Sequence, residues 1–199
     1  MNEFTAIALV EFKSIAAGMF AADKMVKKSP VQLIYTGSVQ PGKYLVLVGG
    51  SVAEVEESHR EGVEAGQPEV LDDVLLPDVH PQVVEALSGT RTFKQYDSLV
   101  VLETSSSAAV LLATDVAVKG AQVELAELRL ANGLGGRGLA ILSGELTDVQ
   151  TAVEIATGAL AGRSVKLCHS IVSNVHPQFA ERVEQSSRFY AVGEDNLGV

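Results

Sequence analysis

Cysteine, basic charge and long apolar runs are all scarce in this sequence. Cys168 is the only cysteine. It cannot form an intrachain disulfide, and one thiol among four scattered histidines makes no Cys/His zinc framework. The 15 Lys and Arg are outnumbered by 25 Asp and Glu, a formal net charge of −10. A field of that sign repels phosphate backbones and anionic head groups, so nucleic-acid and membrane-surface binding are excluded as general functions. No uncharged apolar run reaches the roughly 18 residues that suggest a spanning helix, and neither a basic n-region nor a signal-like h-region opens the chain. The expectation is a soluble, unprocessed chain in a reducing cytosol.

What is abundant is apolar surface. With 47% hydrophobic residues, 20% charged and a mean hydropathy of +0.23, the chain can bury enough to offset the entropy of ordering it, which excludes intrinsic disorder. At 199 residues it holds one large domain or two small ones.

A repeat decides between these. Residues 11–33 align without gaps on 103–125 at an offset of 92, with ten of the 23 positions identical, among them Glu11/Glu103, Ser14/Ser106, Asp23/Asp115 and Lys27/Lys119. Gly42, Gly50 and Val55 then find Gly136, Gly144 and Val149 at an offset of 94, and His80-Pro81-Gln82 finds His176-Pro177-Gln178 at 96. Copies this long are tandem domains rather than solenoid turns. The sequence divides into a first domain over 1–88, a linker over 89–97, a second domain over 98–184 and a tail over 185–199.

Within each copy the same order recurs. The apolar run 6–12 reads as a strand buried on both faces, with 98–102 as its partner in the second copy. Ser14 precedes Ile15, Met19, Ala22 and Val26 at helical spacing, as Ser106 precedes Leu111 and Val118. Pro30 closes the first helix, and two β-rich runs, 31–35 and 44–48, flank a turn at Pro41-Gly42. Ser51 opens an acidic helix, 70–76 returns to strand, and His80 starts a short helix. The pattern β-α-β-β-α-β-α, twice, is an α/β (α+β) class: two ferredoxin-like domains, each an antiparallel sheet with helices on one face.

In order and duplication, the segments ALVEFKSIAAGMFAADKMVKKSPVQL and VLETSSSAAVLLATDVAVKGAQVEL, the loops SVQPGKYLVLVGG and NGLGGRGLAILSGELTDV, and the paired HPQ resemble the bacterial microcompartment shell proteins. Nearly the whole chain is covered, and strand-first order matches the unpermuted tandem class. The resemblance implies a non-enzymatic structural shell protein in the cytoplasm. It further implies a homotrimer imitating a hexagonal tile, with hexameric and pentameric shell proteins and encapsulated enzymes as partners. It makes Gly37, Ser38, Val39 and Gln40, with Asn132, Gly133, Leu134 and Gly135, the lining of a central pore for metabolites or cofactors. Glycine supplies the tight backbone a constriction needs; the residues alone read first as two ordinary β-turns, and the resemblance reverses that preference.

Three further expectations follow from the resemblance. Lys27 and Lys119 match the lysine by which tiles meet edge to edge, while helix-dipole complementation explains the same lysines without any partner. The second edge position, an arginine before the final histidine in the family, falls on Asp78 and Asn174, next to His80 and His176. Some members hold an iron-sulfur cluster through a cysteine two residues before the pore-loop glycine. Gln40 stands there, an amide cannot replace a thiolate, and no cofactor or metal is expected; Cys168 reads as a small core hydrophobe.

Other readings have weaker support. The run Gly133-Leu134-Gly135-Gly136-Arg137-Gly138 leads into a strand, so it lacks the helix N-terminus of a phosphate cradle. Each histidine precedes a helix-starting proline rather than an acid-base partner. A small-molecule sensor on the same ferredoxin-like fold, with its pocket between the copies, is the alternative function. For the segment 132–138 two readings stay open: its four glycines make it the movable part of the opening, beside a first loop stiffened by Pro41, or both loops hold one closed arrangement.

Overall fold

The computed structural model describes residues 4–89, 97–185 and 187, so the linker and tail expected from the sequence fall mostly outside the described residues. The first copy runs β1 (Ala6–Phe12), α1 (Ile15–Lys28), β2 (Gln32–Val39), β3 (Lys43–Gly50), α2 (Val52–Gly66), β4 (Val70–Leu76) and α3 (Pro81–Leu87). The second repeats it: β5 (Ser98–Thr104), α4 (Ser107–Gly120), β6 (Glu124–Leu130), β7 (Gly138–Gly144), α5 (Leu146–Ala159), β8 (Leu167–Ser173) and α6 (Pro177–Gln185). Each copy forms a four-stranded antiparallel sheet, ordered β2-β3-β1-β4 and β6-β7-β5-β8.

Local chemistry fixes the helix starts. The Ser14 and Ser106 hydroxyls accept from the amides of Ala17 and Ala109, as N-caps do, while Glu54 reaches back to the Ser51 amide at 3.1 Å. At α3 the cap is an imidazole: His80 Nδ1 accepts from the Gln82 amide, with Pro81 in the first turn, and His176 does the same for Gln178.

Period-two alternation in β1 sends Ala6, Ala8, Val10 and Phe12 to one face, where Ala21, Met25 and Val55 from α1 and α2 cover them. The other face carries Ile7, Leu9 and Glu11, opposite Leu47 and Leu45 on β3 and Leu76 and Val74 on β4. This face packs against Ala108, Val110 and Leu111 of α4, from the second copy. All seven residues of β1 are therefore buried: its own helices cover one side and the neighbouring copy the other.

Candidate functional site

The two copies meet along a seam that the sheet register makes easy to trace. Asp72 pairs with Glu11 across β1 and β4, so both carboxylates look out of the open face toward the start of α4. Glu11 is fully buried; it accepts from Lys43 Nζ at 2.5 Å and from the Ser107 amide at 2.7 Å. Burial pushes its carboxyl above the usual glutamate range, opposed by the Lys43 ammonium and the Ser107 N–H. Asp72 accepts from the Ser106 hydroxyl and from Arg163 Nη2 at 2.5 Å, and Arg163 also donates to the Asp73 carbonyl at 2.6 Å.

At the far end of the same seam α3 meets α4 and β6. The His80 amide donates to Asp115 Oδ1 at 2.8 Å. Lys119 Nζ lies 2.6 Å from Asp115 and donates to the Asp78 carbonyl. Gln82 Oε1 accepts from the Leu125 amide at 2.7 Å, closing the outer edge of β6. Of the expected edge residues, Lys119, Asp78 and His80 are thus brought together inside one chain. Lys27 is exposed and paired with Asp23 at 2.6 Å, and Asn174 and His176 of the second copy are exposed.

The repeat makes the other half of the comparison. Met19, equivalent to Leu111, is 58% exposed where Leu111 is 0%. Ile15 and Val26 are exposed where Ser107 and Val118 are buried. On the equivalent face of the second sheet, Val183 of α6 packs with Leu99, Ile141 and Val101, while Glu103 and Cys168 have no counterpart of α4 over them among the described residues. This corrects the expectation for Cys168. It is exposed on β8 at the place of Asp72, because among the described residues no helix covers that end of the face as α4 covers the first.

The expected pore residues divide. Gly37, Ser38 and Val39 are the last residues of β2 rather than loop, and only Gln40, Pro41 and Gly42 make the turn. Val39 pairs with Lys43 and is buried against the core on the open face of the sheet, at the floor of the recess that the two turns share. Asn132, Gly133, Leu134 and Gly135 do lie in the turn between β6 and β7. Ser38, Val39, Gln40, Gly42, Asn132 and Gly133 meet with Ile15 around one recess of about 380 Å³.

The second turn is a folded unit. The Ala131 amide donates to the Arg137 carbonyl at 3.0 Å, Leu134 to Ala131 at 3.0 Å, and Arg137 to Leu134 at 3.3 Å. Gly136, at φ +80°, is pressed on the first turn: a Cβ there would lie 2.8 Å from Pro41 Cδ and 3.0 Å from the Gln40 carbonyl oxygen. Between the copies a second recess of about 360 Å³ is walled by Leu9, Leu45, Leu47 and Leu128, with Arg129 and Asn132 among its polar groups.

Gln40 and Asn132 bring amides, and no group of three or more His, Cys, Asp or Glu side chains is gathered as metal ligands among the described residues. No helix of the described residues is long and apolar enough to cross a membrane.

Comparison with known proteins fits this duplicated architecture. The BMC domain model matches twice, over residues 6–79 and 98–175. The bacterial microcompartment shell protein PduT of Citrobacter freundii is 32% identical over 171 residues, 86% of this chain and 93% of that protein. The crystal structure of a microcompartment protein from Desulfitobacterium hafniense superposes with a TM-score of 0.76 at 37% identity, covering 88% of this chain and 98% of the other. A fused permuted hexameric shell protein shares the fold at a TM-score of 0.55 and 22% identity, over 77% and 80% of the two chains.

Proposed function

Because this chain belongs to the BMC domain family and is a structural shell protein of a bacterial microcompartment, we propose that three copies close into a six-domain tile around a central opening. One observation carries the reading: the contacts that α3 makes with α4 and β6 at the seam have equivalents left open at the chain's two outer faces. Asp23 is exposed where Asp115 receives the His80 amide, and His176 is exposed where His80 is engaged. The Leu33 amide stands at the edge position of the Leu125 amide, with Gln178 as the counterpart of Gln82. In a head-to-tail ring, α1 of one chain covers the open face of β5 and β8 of the next. Repeating the seam this way uses each face once and leaves none over.

In such a ring the two turns alternate around the axis, and Ser38, Gln40, Asn132 and Gly133 present small polar groups to a passing solute. The tile's role is structural and permeative; no residue here is assigned to catalysis. No iron-sulfur cluster is held at the axis, since Gln40 offers an amide where a thiolate ligand is required. Stoichiometric iron and labile sulfide in anaerobically purified protein would refute that part. The ring itself is tested by light scattering coupled to size exclusion. The expected mass is three times the 20.9 kDa of one chain, and a stable monomer or dimer near physiological salt overturns the reading.

A further inference from the structure

We propose that each turn of the opening is clamped by a base–carboxylate pair of the adjacent copy: Lys43 with Glu11 holds the 131–137 turn within a chain, and Arg137 with Glu103 holds the 40–42 turn of the next chain. The second half rests on the three-chain ring; the first stands within one chain.

The first clamp is complete. Lys43 Nζ spends one donor on the buried Glu11 carboxylate at 2.5 Å and another on the Gly136 carbonyl at 3.0 Å. Glu11 in turn accepts from the Ser107 amide, in the first turn of α4. One carboxylate therefore ties together β1, the strand that follows the first turn, and the helix that crosses the seam. Through Lys43 it also fixes the second turn against Gln40 and Pro41. Charge-assisted contacts in so enclosed a place are stronger than the neutral hydrogen bonds within the turn, so this pair, more than the turn's own bonds, sets where the turn sits.

The second clamp has every part but its carbonyl. Glu103 and Arg137 occupy the positions of Glu11 and Lys43 in the repeat and pair at 3.1 Å. Their side chains are 44% and 59% exposed, against 0% and 19% for the first pair. Arg137 also donates from Nε to the Leu134 carbonyl at 3.3 Å, leaving further guanidinium donors. Gly42, the equivalent of Gly136, has φ +98° and no atom within 4 Å of where its Cβ would be, whereas Gly136 is packed on the neighbouring turn. Setting the next chain on the open face brings its Gly42 carbonyl to Arg137, and its Ile15 amide to Glu103, as the Ser107 amide meets Glu11.

A base in one copy should thus control the turn of the other. Hydrogen exchange on the full-length assembled protein reads this directly. Lys43→Met is expected to speed exchange in 131–137 by on the order of tenfold, and Arg137→Met to do so in peptides spanning 38–44. Arg137→Lys, which keeps a cation, should retain the protection. Because Lys43→Met strands a buried carboxylate, Glu11→Gln with Lys43→Met provides a variant without the unpaired charge and should loosen the same turn. Unchanged exchange in 131–137 in both Lys43 variants overturns the first clamp. Unchanged exchange in 38–44 in an Arg137→Met protein that keeps the mass of three chains overturns the second. If the parent runs as a monomer, the ring and the second clamp fall together, while the Lys43 result still decides the first.

Discussion

Asp72 and Asp73 are adjacent on β4 and face opposite sides of it, so each answers to a different partner. Asp72 faces the seam and Arg163; Asp73 faces α2, where His59 Nε2 lies 2.8 Å away. The His59 contact, with Arg163 in support, holds the Asp73 carboxyl below its ordinary value. The sign follows: a carboxyl more acidic in the folded state contributes stability above its unfolded value of about 3.9, and loses it as pH falls through the folded value. Asp73→Asn should therefore lower the melting temperature at pH 7, with the gap to the parent closing below about pH 4 as the parent's own carboxyl protonates. A gap that stays constant across that range in thermal scans would show that the contact is not ionic. None of this was legible in the sequence. Arg163 lies in a two-residue extension that the first copy lacks, so the repeat supplies no counterpart to suggest its partner. The serine caps were legible, because an N-cap acts on amides three residues away and needs no tertiary context.

Helices α1 and α4 show how one pattern reaches two fates. Both were legible as helices from apolar spacing behind a serine, and the strands around them from short β-rich runs. The sequence alone did not reveal that α4 is buried on nearly every side while α1 keeps an exposed stripe, because burial there is decided by which neighbour crosses the sheet. Composition follows the difference: where α1 has Lys24 and Lys28, α4 has Val116 and Gly120. Leu111→Ala, which opens a cavity inside the chain, should destabilise it by about 2–5 kcal/mol in denaturant unfolding. Met19→Glu at the equivalent place should leave the chain folded, with unchanged circular dichroism, and convert three-chain rings to monomers. It puts a carboxylate into an apolar contact that forms only on assembly. A Met19→Glu protein that still runs at the mass of three chains would place the interface elsewhere.

For the whole molecule, charge sets the terms on which tiles meet. A chain of net charge −10 gives a ring three times as negative, and such rings repel across any shared edge. Sheet formation should therefore increase as salt rises from about 0.01 M to 0.15 M, over which the screening length falls from about 30 Å to 8 Å. Lys27 is the residue expected to act against that repulsion. Its side chain is 70% exposed and its ammonium is held by Asp23, whereas Lys119, its counterpart, is engaged with Asp78 and Asp115 inside the chain. Lys119→Glu should accordingly lower the melting temperature of the chain, and Lys27→Glu should leave it unchanged while suppressing sheets. Charge reversal anywhere adds two negative charges per chain, so position has to be separated from sum. Lys24→Glu makes the same change one turn earlier, where the ammonium lies 5.4 Å over the Phe20 ring rather than beside Asp23. If Lys27 is an edge contact, electron microscopy at fixed salt should show sheets from Lys24→Glu rings and none from Lys27→Glu rings of the same mass. Equal loss in both would assign the effect to net charge and leave Lys27 as a solvated helix end.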